Sequence, residues 1–269
     1  MRAVAEEAPR PQLLQGNVGV RFEWGPTGAS LLGNAESCLV VVDVLSFTTA
    51  VSVATGRSMA VLPYPLADPD AERFAVANDA VLAVRRREAS AERPWSLSPA
   101  ALASAPHVPR LVLPSPNGSA IASRAAGGVV AGCLRNASAT ASWLLGQRFG
   151  TRERPVLVVA AGERPVLVVA AGERWPDGLL RPALEDALGA GAVLARLHRA
   201  GFELSAEATT MARAFEATDV ENALRTCGSA RELEAMGFGA DVEMAGDHDA
   251  DDHAAVLLDG AFQPVPVSA

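Results

Sequence analysis

At 269 residues, with 49% hydrophobic and 20% charged side chains, the chain has enough apolar content for a packed core and too little charge for a disordered polymer. A formal net charge of −8, carried with arginines and no lysine, excludes a general nucleic-acid binder, a lysine Schiff base and a phosphate loop built on lysine. Cys38, Cys133 and Cys227 are scattered, fit no zinc spacing and read as small buried hydrophobes.

Residues 1–15 form a polar, proline-containing arm that is expected to be flexible. Residues 16–269 are read as one α/β domain, with two lobes as the alternative organisation. No apolar run approaches the roughly 18 residues of a membrane span, and the N-terminus lacks a signal-peptide core, so a cytoplasmic protein with no membrane partner is expected.

VGVRFEW (18–24) alternates like a half-buried strand. LVVVDVLSFTTA (39–50) is a β-branched run that ends on Asp43 and passes into a helix-like segment. Such a run suits a strand covered on both faces, and open α/β sheets place their ligands at the carboxyl ends of these strands. Asp43 is therefore a candidate catalytic or metal-binding carboxylate, with a simple helix cap as the equally weighted alternative. Ser46, Thr48 and Thr49 add hydroxyls and amides at the same rim. MAVLPY (59–64) reads as a strand, 68–80 as a helix capped by Asp68, and VLAV (81–84) as a short strand. Arg85, Arg86 and Arg87 read as a solvated helix end, and 88–109 as a long loop holding one short helix.

LVL (111–113) leads into SPNGS, Ser115 to Ser119, the clearest anion-binding candidate. Gly118 permits close backbone approach, Asn117 offers an amide, and Ser119 opens a helix whose free N–H groups favour phosphate. An ordinary Pro-Asn-Gly turn is the alternative. The pattern recurs in GGVVAGCLRNASATASWLL, where Asn136 and Ser138 begin a helix and form either a second cradle or an N-cap. ERPVLVVAAG occurs twice in tandem, at 153–162 and 163–172, and Val166 to Ala170 of the second copy is expected to be the core strand. GERWPDG (172–178) reads as a rim loop whose Arg174 could pair with an anion. Glu185 and Asp186 follow on a helix, about 100° apart, so that one of them faces a site and could share Mg²⁺ with Asp43. Beyond Phe202 the pattern is mostly helical through Met236, DHDADDH reads as a flexible acidic surface loop rather than a metal site, and one or two strands close the chain. This alternation predicts a three-layer α/β/α fold with a mainly parallel sheet.

VVVDVLSFTTA, LVLPSPNGSAIA, GCLRNASATA and VLVVAAGERWPDGLLRPALEDALGAGAVLARL stand in the order seen in the 2-phosphosulfolactate phosphatase family, which the chain resembles over roughly 18–260. The resemblance implies a Mg²⁺-dependent α/β phosphatase that hydrolyses 2-phospho-3-sulfolactate to sulfolactate and phosphate. It places Asp43 on the family's strand-end aspartate, Asn117 and Gly118 on its T-N-G-T-like turn, Asn136 on its helix-start asparagine, and Glu185–Asp186 on its Glu-Asp pair. Two departures stand out. Ser46 occupies the place of the family's usual arginine, and VRRREASAERPWSLSP replaces its Gly-Glu-Arg and G-N-S-P blocks, with only Ser98-Pro99 similar. Arg87 and Arg174 are the candidates to restore the missing charge.

The resulting expectation is a Mg²⁺-dependent hydrolase of a small anionic phosphomonoester. Asp43, Asn117 and Asn136 are the catalytic candidates; Ser46, Thr48, Thr49, Ser115, Gly118, Ser119 and Arg174 contact substrate; Asp43, Glu185 and Asp186 ligate the metal. An Asp43 nucleophile is a variant of this chemistry. The alternatives are a non-catalytic relative that binds a small anionic metabolite and a structural protein in which these residues are caps. The partner expected is a small phosphorylated substrate, with self-association into a homo-oligomer also considered.

Overall fold

The computed structural model describes residues 11–15, 18–65, 68–149, 166–170, 173–174 and 179–267. Its strands are β1 (Val20–Trp24), β2 (Cys38–Val42), β3 (Ala60–Tyr64), β4 (Val81–Leu82), β5 (Arg110–Pro114), β6 (Gly128–Gly132), β7 (Val166–Ala170), β8 (Glu173–Arg174), β9 (Leu180–Arg181), β10 (His253–Leu258) and β11 (Ala261–Pro266). The helices are α1 (Gly25–Leu32), α2 (Phe47–Gly56), α3 (Pro69–Ala77), α4 (Pro99–Ser104), α5 (Gly118–Ala122), α6 (Ala137–Gly146), α7 (Leu184–Arg199), α8 (Ala206–Ala217), α9 (Val220–Thr226), α10 (Gly228–Ala235) and α11 (Gly239–Gly246).

Nine strands form one sheet in the order β1-β7-β2-β6-β10-β11-β3-β5-β4. The pairs β1–β7, β7–β2, β2–β6, β3–β5 and β5–β4 are parallel, whereas β10 runs antiparallel to β6 and β11, and β11 antiparallel to β3. The fold is thus α/β with a mainly parallel sheet, as the alternation of elements predicts. The C-terminal strands enter its middle as a hairpin. Asp259 and Gly260 link them with positive φ angles of 51° and 80°, the backbone of a two-residue turn that Asp-Gly favours. β7 falls in the second copy of the tandem repeat; the first copy lies outside the described residues.

β2 explains the layering. All five of its residues are buried. Cys38, Val40 and Val42 face a core shared with α6, α7 and α8, while Leu39 and Val41 face a second core shared with α2, α4 and α5. Each buried Val or Leu contributes roughly 1.5–3 kcal/mol, so a continuous apolar strand is stable only between two helical layers.

α2 is buried from Phe47 to Thr55 and touches β3, β6, β10 and β11 as well as α4. Its hydroxyls are absorbed locally: Thr48 and Thr49 donate to the carbonyls of Asp43 and Val44, and Ser52 donates to Asp251. The sheet therefore curls around α2, consistent with the twist that accumulates from strand to strand. Through that curl α5, which leaves β5, reaches β2 as well as β3.

One local expectation changes, one element has no counterpart in the sequence reading, and residues 88–109 hold one short helix as expected. Of the N-terminal arm, residues 11–15 dock on β1, where the Gln15 amide donates to the Phe22 carbonyl over 2.8 Å and accepts the Phe22 N–H. α1 was not legible because GPTGASLL combines two glycines with one proline, and packing against β1 and β7 overrides its weak propensity. Residues 86–104 are organised by a tight turn at Arg86–Glu88 and by α4, capped as Ser98 Oγ accepts the Ala101 N–H. Among the described residues, no helix is long and apolar enough to cross a membrane.

Candidate active site

β2 delivers Asp43 to a cleft of about 190 Å³ lined by Ser46, Arg86, Asn117, Glu185, Asp186 and Ser229, among others. Asp43 is buried, its carboxylate accepts the backbone N–H of Gly118 over 2.9 Å, and the Phe47 N–H at the start of α2 favours its charged form. Asp43 faces the cleft, and Ser46, the N-cap residue of α2, makes no side-chain cap hydrogen bond. Burial raises its pKa to about 6, opposed by those two N–H groups and by Arg86, and reinforced by the nearby Glu185.

The SPNGS turn meets Asp43 from the other side. Gly118 permits a close approach, but to Asp43 and not directly to a ligand. A Cβ there would stand 2.5 Å from Phe47 Cδ1 and 2.8 Å from Asp43 Oδ2. α5 has only five residues, and its first N–H is already committed to Asp43. Ser119 is buried and donates to the Leu113 carbonyl, and Ser115 Oγ accepts the Asn117 N–H, so these hydroxyls build the turn. Asn117 lines the cleft, and its side chain has no hydrogen-bond partner among the described residues.

Glu185 and Asp186 open α7, where acidic side chains favour the positive helix end. The 100° separation suggested that one alone would face a site. Both are buried and both line the cleft, because the first turn of α7 abuts it end-on and flanks it with successive side chains. Asp186 Oδ1 also accepts the Val44 N–H over 2.8 Å, tying α7 to the Asp43 loop.

Two functional candidates are invisible in the linear pattern. Arg86 is drawn inward from the Arg85–Arg87 run. Its Nε donates to buried Asp241 over 2.9 Å, and its other nitrogens donate to the Leu45 carbonyl and to Ser46 Oγ, at 3.2 and 3.4 Å. Arg86, rather than Arg87, thus brings a guanidinium to Ser46. Arg87 is exposed, and the side chain of Arg174, on β8, is outside the described part of the structure. The second is Ser229 near the start of α10. It is 5% exposed, lines the cleft, and its hydroxyl has no partner among the described residues.

Thr48 and Thr49 are buried in α2 and bonded to backbone carbonyls. The structure does not bring Asn136 or Ser138 to the cleft lining. Asn136 is fully buried, accepting the Cys133 N–H and donating to the Ala131 carbonyl, so its amide shapes the turn after β6. Ser138 is bound through both its N–H and its hydroxyl to Asp249. The DHDADDH segment is pinned, not a loose acidic loop: Arg135 binds Asp247 and Asp251, and Arg196 binds Asp249. The three cysteines are buried and free, and burial raises the Cys38 thiol to about 12 and the Cys133 and Cys227 thiols to about 11.

Among the described residues, no group of three or more His, Cys, Asp or Glu side chains is arranged as a metal cage. The donor chemistry nevertheless suits Mg²⁺, which takes one or two carboxylates and completes its shell with water and phosphate oxygens. Among the described residues of the lining, Asp43, Glu185, Asp186 and Glu232 share the cleft with the Arg86 guanidinium, and a bound Mg²⁺ would add positive charge for a phosphate dianion.

A model of the 2-phosphosulpholactate phosphatases matches residues 28–259. The chain belongs to that family. The match spans Asp43, the SPNGS turn, the Glu185–Asp186 pair, Arg86 and Ser229. It makes this protein a member of a phosphatase family. No curated protein matches the chain.

Proposed function

We propose that the Asp43 cleft is the active site of a Mg²⁺-dependent phosphatase that hydrolyses 2-phosphosulpholactate or a closely similar anionic phosphomonoester. The observation that carries this reading is the convergence on one cleft, among the described residues of a member of a phosphatase family, of the buried Asp43, Glu185 and Asp186 carboxylates, the Arg86 guanidinium and the Asn117 and Ser229 side chains.

Asp43, Glu185 and Asp186 would hold Mg²⁺, which when bound neutralises phosphoryl charge and activates water. The chain's own groups supply the positioning that phosphoryl transfer chiefly requires. Asn117 offers its amide, and Ser229 its buried hydroxyl, as donors to phosphoryl oxygens. Arg86 adds positive charge beside Ser46, and the buried Asp241 fixes its orientation. Gly118 and Val44 donate backbone N–H groups that lock Asp43 and Asp186 in place before substrate arrives. Such preorganisation is what makes a polar site effective in catalysis.

Phosphate release from a panel of phosphomonoesters that includes 2-phosphosulpholactate, with Mg²⁺ or with a chelator, tests the proposal. Turnover that requires Mg²⁺ supports it. Binding of these esters without any turnover would instead favour the non-catalytic reading, a relative that retains the anion cleft alone.

A further inference from the structure

The Asp43 cleft adjoins a larger one of about 480 Å³, and Arg86 and Met236 line both. The larger cleft is walled by apolar side chains, among them Ala83, Val84, Leu97, Pro114 and Phe238. Arg87 borders it, is exposed, and has no ion-pair partner among the described residues. Pockets that hold small organic ligands span about 300–1,000 Å³ and pair mostly apolar walls with a few polar groups. The smaller cleft falls below that range and is polar; the larger falls within it. A three-carbon acid whose phosphoryl group lies at Asp43 would leave the apolar cleft unfilled and its surface unprotected from water.

Resting on the phosphatase reading of the Asp43 cleft, we infer that the preferred substrate is a phosphorylated 2-hydroxy acid with an aryl or branched alkyl body, which fills the cleft between Leu97 and Phe238. Its phosphoryl group lies at Asp43, and an acid group reaches toward Arg87, for which a guanidinium is a fitting partner. Hydrolysis balances without a further reactant: water oxygen bonds to phosphorus, the ester P–O bond breaks, and the departing oxygen takes a proton. The products are phosphate and the free hydroxy acid.

Steady-state phosphate release by the full chain with Mg²⁺, comparing O-phospho-lactate with O-phospho-3-phenyllactate, tests this directly. The phenyl ester is expected to have a kcat/KM roughly 10-fold or more higher, the scale on which apolar pockets discriminate. Leu97→Trp, with Leu97→Phe as a milder version, should remove that preference. Equal or better use of the lactate ester, unaffected by both variants, would overturn the inference and leave the phosphatase reading intact. If neither ester is hydrolysed, calorimetric binding of the phenyl ester that Leu97→Trp abolishes would uphold the cleft and remove the catalytic reading. Absence of binding would overturn both.

Discussion

The Gly118 N–H reaches the Asp43 carboxylate over 2.9 Å and joins strand ends that are distant in both sequence and sheet order. The two rims of the site are therefore one hydrogen-bonded unit. Asp43 enters it with its orientation already set, and the absent Cβ of residue 118 is what permits the approach.

Gly118→Ala puts a methyl within 2.5 Å of Phe47 and 2.8 Å of Asp43. Phe47 is a fully buried ring packed edge-on against Phe262, so it has little room to yield. Urea unfolding should show a loss of about 1–3 kcal/mol, the usual cost of overpacking a core. Phosphatase activity should fall more than stability accounts for, because Asp43 is pushed from its position.

Asp43 makes stability depend on pH with a definite sign. Its pKa rises from 3.8 to about 6 on folding, so the native state holds the proton more tightly than the unfolded chain does. The contribution is fully present below about pH 4, declines as pH rises toward 6, and is absent above. In chelator, Asp43→Asn should therefore unfold later than the parent at pH 7.5, by up to about 3 kcal/mol, and gain little at pH 4. Chemical denaturation at the two pH values reads the difference. Mg²⁺ added at pH 7.5 should stabilise the parent more than the variant.

Arg86 and Asp241 form a buried pair, with side chains 15% and 2% exposed. Arg86→Met leaves the Asp241 carboxylate without its charge partner, a loss that typically costs 3–5 kcal/mol. Thermal unfolding should show that destabilisation, and Asp241→Asn in the same chain should restore part of it. Arg86→Lys keeps the charge but lacks the planar fork that reaches Asp241, Leu45 and Ser46 together, so activity should fall with a smaller effect on stability.

Cys38, Cys133 and Cys227 are all buried, with thiols raised to about 11 or 12. Since the thiolate is the reactive form, a disulfide reagent at pH 8 should label none of them in the native protein and all three after unfolding.

What could be read from the sequence was what short-range patterns determine. The run ending at Asp43 and the SPNGS turn carry their own strand, turn and helix signals, and both lie at the cleft. The Asp259-Gly260 turn was equally present as a local signal, but the entry of its hairpin between β6 and β3 depends on pairings more than 100 residues away in sequence. Arg86 and Ser229 were hidden for a related reason. Nothing beside Arg86 distinguishes it from Arg85 and Arg87; Asp241, 155 residues later, does. Asn136 shows the converse: its position at a helix start suited an anion, yet its amide is consumed by Cys133 and Ala131.

The most direct test of the Asp43 cleft as a phosphatase site is phosphate release from 2-phosphosulpholactate with saturating Mg²⁺, parent against Asp43→Asn. The account predicts turnover by the parent and a loss of roughly 10³-fold or more in the variant, the scale set by removing a central electrostatic group. Equal rates in the two proteins would contradict it.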